Sequence, residues 1–105
     1  SPIPGTVGLL DLMTAFAKVF EKAKAPVYEI QEEVWTVEQK VKDLRVLLMV
    51  RGRVAFLEIF SPEQTTLELV VTFLALLELV RQGTCLAVQE RAFGEIVIVQ
   101  RAATA

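Results

Sequence analysis

Hydrophobic positions in the first quarter of the chain repeat with the spacing of an amphipathic helix. Apolar residues recur every three or four positions until Pro26, which cannot continue a helix. Thr6 stands where a side-chain cap would begin this helix. The predicted apolar stripe consists of Leu9, Leu12, Met13, Phe16, Val19, Phe20 and Ala23. Residues 27–34 then alternate between apolar and polar and predict a short extended segment.

The next group of residues predicts a helix, a short strand and a single helical turn. Thr36 is followed three residues later by Gln39, which is the spacing of a capping box at the start of a helix. Apolar residues on one face continue this helix to Gly52, a residue suited to a left-handed helix end. Residues 54–56 are long enough only for an edge strand, and residues 57–60 predict one helical turn.

The last part of the chain predicts a long helix followed by a β-hairpin. Ser61 and Pro62 predict the start of the helix, because serine caps helices and proline is tolerated in the first turn. Gly83 predicts its end. Two β-rich runs, residues 84–90 and 95–100, are joined by four residues and predict the two strands of a hairpin.

This order of elements predicts an α+β fold of the winged-helix type. The elements are a helix, a short strand, a short helix, a long helix and a β-hairpin wing, preceded by an N-terminal helical extension. We expect the winged-helix domain to cover residues 36–101. Residues 1–35 would form a linker, the amphipathic helix and the short extended segment, and residues 102–105 a tail. The chain lacks an initiator methionine and opens with the linker-like run SPIPG, which predicts a piece of a longer protein.

Composition limits the class of protein. The chain has 105 residues, of which 53% are hydrophobic, and its net charge is −2. Mean hydropathy is high at +0.48. The longest apolar run, Leu69–Leu77, is nevertheless interrupted by Thr72 and far shorter than the roughly 20 residues of a membrane-spanning helix. We therefore expect no membrane span, and no basic stretch followed by an apolar one predicts export.

The sequence offers little catalytic chemistry. It has no histidine, which excludes Ser-His-Asp and Cys-His catalysis and histidine metal sites, and its single cysteine cannot build a thiolate cluster. Glu32 and Glu33 lie beside Trp35, but adjacent residues of a strand point to opposite faces and do not form a catalytic pair. Cys85 is interpreted as a small buried hydrophobe. We expect no enzymatic activity, no cofactor and no metal.

Winged helices most often bind DNA, and the polarity of the long helix bears on that function. Its least apolar arc, which we expect to face outward, has two carboxylates and no Arg or Lys, a pattern that disfavours contact with phosphates. This arc consists of Glu68, Val71, Thr72, Ala75, Glu78, Leu79 and Gln82. A basic cluster within residues 40–53 is typical of a solvated helix face and is the alternative candidate for DNA binding. Its members are Lys40, Lys42, Arg45, Arg51 and Arg53.

The predicted hairpin is apolar on both of its faces. Alternation places on the core side Leu86, Val88, Ile96 and Ile98. It places on the other side Cys85, Ala87, Val97 and Val99. A hairpin with one face in water should alternate apolar and polar residues, so we expect a cover for the second face. The N-terminal helix and a partner protein both remain open as that cover.

Specific strings near the C-terminus resemble a known family. Residues 72–80 read TFLALLELV, and the hairpin contains Gln89-Glu90 followed by Phe93-Gly94-Glu95-Ile96. Together these strings resemble the C-terminal end of segregation and condensation protein A, the bacterial kleisin, although Glu95 replaces the aspartate of the family pattern. Weaker similarities lie at Trp35–Glu38, Arg53–Phe60 and Gly5–Phe16.

The resemblance implies a structural role. Kleisins bridge the two ATPase heads of a structural-maintenance-of-chromosomes (SMC) dimer, and their C-terminal winged helix docks on one head. This chain would be that non-enzymatic module, which helps close the SMC ring for chromosome condensation and segregation. Segregation and condensation protein B would bind a region of the full protein that is largely absent here. DNA would be contacted only through the complex, and the location would be cytoplasmic, at the nucleoid.

The residues that contact the head are predicted from the apolar surface, because the resemblance does not identify them. The predicted residues are Val97 and Val99 on the outer face of the hairpin, Phe93 at its tip and Leu79 nearby. The same apolar surface leaves open whether the isolated chain forms a homodimer.

Overall fold

The computed structural model describes residues 5–23, 35–92 and 94–101. Its three α-helices are α1 (Leu9–Lys22), α2 (Val37–Arg51) and α3 (Thr66–Arg81), and a 3-10 turn spans Phe56–Ile59. The strands β1 (Arg53–Ala55), β2 (Cys85–Gln89) and β3 (Ile96–Gln100) form one antiparallel sheet in the order β1-β3-β2. The α+β class is confirmed, and the arrangement is compatible with a winged helix. The segment predicted at 27–34 lies outside the described residues, and the division into 1–35, 36–101 and 102–105 stays a prediction.

Helix α2 begins and ends as its sequence predicts. The Gln39 N–H donates to Thr36 Oγ1 at 3.1 Å and the Thr36 N–H donates to Gln39 Oε1 at 3.3 Å, so both halves of the capping box are present. Gly52 follows with a φ of 75°, a left-handed conformation that glycine adopts without strain. Gly83 follows α3 in the same conformation, with a φ of 77°.

The residues before α1 pair with the sheet. Thr6 forms a β-bridge with Val88, and Gly8 caps α1 without a side-chain hydrogen bond. The Val7 N–H donates to the Ala87 carbonyl at 2.8 Å, which adds a short antiparallel segment to the edge of β2. The predicted Thr6 cap is therefore wrong, because the backbone at this point is paired with a strand.

Helix α3 begins later than predicted, with Thr65 rather than Ser61 as its cap. The Glu68 N–H donates to Thr65 Oγ1 at 3.1 Å. Ser61 instead begins a separate turn, in which the Gln64 N–H donates to the Ser61 carbonyl at 3.0 Å. Ser61 and Thr65 can both cap a helix, and Thr65 caps α3 because the helical residues follow it directly.

The inner face of the sheet and α3 form the centre of the hydrophobic core. Within the sheet, Ile98 pairs with Val54 on one side and Ala87 on the other, and all three side chains are almost fully buried. Leu76 and Leu79 of α3 are completely buried. Removal of this apolar surface from water is the main force that stabilises the module.

An aromatic cluster attaches α1 to the core. The ring of Phe16 in α1 stacks on Phe73 of α3, with centroids 4.3 Å apart and planes 3° from parallel. The Phe60 ring lies 5.4 Å from Phe16, and the Phe56 ring lies 5.0 Å from Phe60. Leu12 of α1 is also buried. Helix α1 is therefore packed into the same core as the rest of the described chain.

Helix α2 packs on α3 through a nearly buried ion pair. Lys40 Nζ lies 2.6 Å from Glu68 Oε2, and the two side chains are only 11% and 14% exposed. The Lys40 ammonium also lies 4.2 Å from the centroid of the Trp35 ring, a cation–π contact. Toward the other end of the contact between α2 and α3, Arg45 Nη2 donates to Gln82 Oε1 at 3.0 Å. Polar side chains therefore join the two helices on both sides of their apolar contact.

We expect Phe16→Ala to destabilise the module by about 2–3 kcal/mol, because it removes the stack on Phe73 and part of the buried surface of α1. Leu10→Ala is the matched control, since Leu10 lies on the same helix but is 77% exposed. It should change the free energy of unfolding by no more than about 0.5 kcal/mol. Urea unfolding followed by circular dichroism measures both variants. Equal losses would contradict the described packing of α1.

We expect Lys40→Met to destabilise the module by about 3 kcal/mol, because it leaves the Glu68 carboxylate nearly buried without its cation. Lys42→Met, two residues away on the exposed face of α2, should leave stability almost unchanged. The double variant Lys40→Met with Glu68→Leu removes both charges and should recover most of the loss. Thermal melts of the four proteins test this, and a Lys40→Met variant as stable as Lys42→Met would contradict it.

Candidate interaction surfaces

The outer face of the sheet is an apolar patch. The strand register places Leu86 beside Val99 and Val88 beside Val97, and Ala55 continues the second row into β1. Each of these side chains is half-buried. We call this patch the outer sheet face, and it consists of Ala55, Leu86, Val88, Val97 and Val99. An antiparallel sheet with one face in water normally carries polar residues there, so this composition is unusual for a solvated face.

The predicted alternation is confirmed for β3 and wrong for β2. In β2 the residues on the inner face are Cys85 and Ala87, which are 0% and 1% exposed, whereas Leu86 and Val88 lie on the outer sheet face. The reason is the close approach of α3, whose last turn is hydrogen-bonded to the backbone just before β2. Only small side chains fit between the two elements, so the smaller residues of β2 point inward.

Helix α1 does not cover the outer sheet face. It packs on the inner side of the sheet, where it shares a groove with Gln89 and Ile96. Gln89 and Ile96 pair with each other, and each lies two residues along its strand from the pair of Ala87 and Ile98. They are therefore on the same face of the sheet as Ala87 and Ile98, which point into the core. The sequence left two possible covers for this face, the N-terminal helix and a partner protein. The first of these predictions is wrong for the described part of α1.

The four residues predicted to bind a partner lie in different places. Val97 and Val99 are on the outer sheet face, where the sequence places them. Leu79 is 0% exposed, so the prediction that it lies on an outward surface is wrong. Phe93 lies outside the described residues. Sequence reasoning also missed the two β2 members of the outer sheet face, and the small size of their inward neighbours was the only signal that could have revealed them.

An exposed ion pair crosses the outer sheet face. Arg53 Nη2 at the start of β1 lies 3.9 Å from Glu90 Oε1, just after β2. Since β3 lies between β1 and β2, this contact must pass over β3. The side chains are 61% and 78% exposed, so the pair is weak and easily opened.

The arc of α3 that the sequence marks as outward is packed against α2. Ala75 is 0% exposed and Thr72 is 2% exposed. The polar residues of this arc have protein partners: Glu68 pairs with Lys40, and Glu78 accepts from Arg81 and Gln82. The outward assignment is wrong for Glu68, whose carboxylate meets Lys40 of α2, and for the buried residues of the arc, whereas Glu78 and Gln82 do lie at the surface.

The true outward face of α3 is apolar. Leu67 and Leu74 are 60% and 45% exposed, with half-buried Val70 and Leu77 beside them. We call the row Leu67, Val70, Leu74 and Leu77 the α3 seam. At its C-terminal end, hydrogen bonds from Arg81 and then Gln82 lower the pKa of Glu78 to about 2, so that this carboxylate is ionised and paired. Such a face is poorly suited to contact phosphates.

The predicted basic cluster does not form one positively charged patch. Lys40 is nearly buried in its pair with Glu68. Arg51 Nη1 lies 2.8 Å from Glu58 Oε2, and this contact lowers the pKa of the Glu58 carboxyl. All members of the cluster except Lys40 are exposed: Lys42, Arg45, Arg51 and Arg53. Three of the five cations thus already contact a carboxylate of the module, Arg53 only through its weak pair with Glu90.

The described residues show no arrangement typical of a catalytic centre. Burial raises the pKa of the Cys85 thiol to about 11, so this side chain stays un-ionised at neutral pH and is a poor nucleophile. No group of three metal-ligating side chains occurs in the described part of the chain. Within the same residues, every helix falls short of the length and apolar character needed to cross a bilayer.

Comparison with known proteins gives a consistent result. Residues 6–100 match the family model described as segregation and condensation protein ScpA. The chain is 37% identical over 90 residues to segregation and condensation protein A of Caldanaerobacter subterraneus subsp. tengcongensis, covering 84% of this chain and 36% of the relative. For the protein of the same name from Bacillus cereus strain AH187, identity is 36% over 100 residues, 91% of this chain and 40% of the relative.

A third relative, segregation and condensation protein A of Brevibacillus brevis, is 32% identical over 96 residues, which cover 90% of this chain and 38% of that protein. The chain thus spans between 36% and 40% of the length of these relatives. The family match covers nearly all of the described residues, including both apolar surfaces. The chain belongs to the segregation and condensation protein ScpA family.

Proposed function

We propose that this chain is a non-enzymatic winged-helix module that docks on the ATPase head of an SMC protein. In this role it helps close the SMC ring during chromosome condensation and segregation. The family match over residues 6–100 and the name of the relatives support a role in segregation and condensation. The order of helices and strands supports the winged-helix form.

The observation that carries the proposed docking site is the apolar composition of the outer sheet face. Five half-buried apolar side chains from three strands lie side by side there, and the described part of α1 packs elsewhere. Contiguous apolar surface of this kind is typical of protein–protein contact. Val97 and Val99 lie on the central strand of the sheet, so we infer that they lie at the centre of the contact with the head.

The other partners follow from the same proposal. Segregation and condensation protein B would bind a region of the full-length protein outside this chain. DNA would be held by the assembled ring rather than by this module. Because the ring acts on the chromosome, the module would lie in the cytoplasm, at the nucleoid. The basic cluster remains as the alternative, a direct DNA contact; its members are Lys40, Lys42, Arg45, Arg51 and Arg53.

We expect the chain to form a one-to-one complex of micromolar or tighter affinity with the ATPase head of the SMC protein from its own organism. Val97→Arg or Val99→Arg should weaken that complex by about 30-fold or more, because each buries a cation at the centre of an apolar contact. Val46→Arg is the matched control, since Val46 is a valine that is 59% exposed on helix α2 and is not part of the outer sheet face. Isothermal titration measures all of them.

The possible outcomes distinguish an error in the proposed surface from an error in the proposed partner. Loss of head binding in Val97→Arg and Val99→Arg but not in the control, with circular dichroism and melting near wild type, would support both the surface and the partner. Normal binding by folded Val97→Arg and Val99→Arg proteins would place the interface elsewhere. Unfolding of both variants would make these valines core residues. No heat from the wild-type chain with an active head would contradict head docking itself.

We expect this chain to bind duplex DNA weakly and with little dependence on salt, because its cations are few and partly paired. Fluorescence anisotropy with a labelled duplex between 50 and 200 mM salt measures this, and several phosphate contacts would produce a steep loss of affinity over that range. Lys42→Gln with Arg45→Gln should change nothing. Steep binding that this double variant abolishes would support the DNA alternative.

A further inference from the structure

The ion pair of Arg53 with Glu90 spans the surface proposed for docking. Arg53 lies directly opposite Val99 in the strand register, so its side chain starts on the same face of the sheet as Val97 and Val99. Glu90 follows β2, on the far side of β3 from Arg53. We call this contact the cross-sheet pair. Its two side chains extend from opposite edges of the outer sheet face and meet above the central strand.

The cross-sheet pair is held loosely. Its two charged atoms are 3.9 Å apart, and the side chains of Arg53 and Glu90 are 61% and 78% exposed. In the pair of Arg51 with Glu58, by contrast, the distance is 2.8 Å and each side chain is about half exposed. Exposed ion pairs contribute little to stability, so the cross-sheet pair can open and exchange its partners at little cost.

A protein that docks on the outer sheet face also covers the cross-sheet pair. Three short strands side by side measure about 15 Å by 17 Å, an area of about 250 Å². A typical protein interface removes about 800 Å² of surface from each partner. A partner seated on Val97 and Val99 therefore extends over Arg53 and Glu90, and both charges lose contact with water.

The closed pair and the docked partner compete for the same space. While the pair is closed, the side chains of Arg53 and Glu90 lie between the central strand and any incoming surface. Once the pair has opened, each charge needs a new partner, because a charge that loses water without gaining an opposite charge strongly opposes binding. The outer sheet face therefore fits a surface with an apolar centre and one charge of each sign at its sides.

On the basis of the proposed docking to the SMC ATPase head, we infer that Arg53 and Glu90 determine the orientation in which the outer sheet face accepts its partner. On docking, the cross-sheet pair opens. Arg53 then pairs with a carboxylate of the head beside β1, and Glu90 pairs with a cation of the head beside β2. A head turned by half a rotation on this face would meet a like charge at both positions, which disfavours that orientation.

Exchange of the two charges distinguishes recognition of the head from a role within the module. Arg53→Glu combined with Glu90→Arg keeps the net charge and lets the cross-sheet pair form again with the opposite polarity. We expect the melting temperature to stay near wild type. Affinity for the SMC head should fall at least 30-fold, because both charges then face like charges of the head. Isothermal titration at 50 mM salt measures this affinity, and each single variant should bind about tenfold more weakly than wild type.

The response to salt provides a second readout, which a purely structural role would not change. Raising the salt concentration from 50 to 500 mM should weaken the wild-type complex several-fold, because it screens attraction. It should strengthen the complex of the double exchange, because there it screens repulsion. Arg53→Met with Glu90→Gln removes both charges and serves as a second variant if the exchange impairs folding. This neutral variant should bind about tenfold more weakly than wild type and respond little to salt.

The pair of Arg81 with Glu78 provides the matched control. It is a surface ion pair within α3, outside the outer sheet face. Arg81→Glu with Glu78→Arg keeps the net charge in the same way. It should change the affinity for the head by less than twofold at either salt concentration.

The outcomes distinguish an error in the role of the pair from an error in the proposed function. Wild-type affinity of the double exchange, with binding lost in Val97→Arg, would support the docking surface and overturn the role of Arg53 and Glu90. Tighter binding by Arg53→Met with Glu90→Gln would overturn it as well, because the pair would then only shield the valines. Normal binding by Val97→Arg and by the double exchange would overturn both the surface and the role of the pair. No heat from the wild-type chain with an active head would contradict head docking itself, and this inference with it.

Discussion

The structure depends on the burial of α3 by three different neighbours. Ala75 and Leu76 of α3 are 0% exposed beneath α2 and the sheet, and the ring of Phe73 stacks on Phe16 of α1. Lys40 and Glu68 add a nearly buried ion pair to the α2 contact. A helix this apolar is stable in water only when most of its surface is covered. The remaining side, the α3 seam, is the part that the module itself leaves uncovered.

Charge and apolar surface are distributed in a way that favours protein partners. Several cations act inside the module: Lys40, Arg51 and Arg81 each pair with a carboxylate. The side chains that make up the outer sheet face and the α3 seam are all apolar. Association removes such surfaces from water at little electrostatic cost, whereas phosphate binding requires cations that this module uses elsewhere.

Local sequence signals predicted most of the backbone correctly. The Thr36 capping box, the left-handed glycines Gly52 and Gly83 and the two hairpin strands all occur where the sequence places them. Each depends on interactions within a few residues, so the sequence contains the necessary information. The starts of two helices were predicted at the wrong residue. Before α3 two capping residues, Ser61 and Thr65, lie close together, and before α1 the predicted cap, Thr6, is paired with a strand instead. The strings in the long helix and hairpin also identified the family.

The sequence by itself therefore determined the elements, their order and the family, but the tertiary structure decided which faces are inside. Polarity indicated that the Glu68 arc of α3 faces water, yet Lys40 of another helix neutralises that carboxylate in a nearly buried contact. Alternation placed Leu86 and Val88 of β2 on the core side, yet the residues of β2 that face the core beside α3 are Cys85 and Ala87. Both decisions depend on how whole elements pack together, because burial is set by the shape and charge of the element packed opposite.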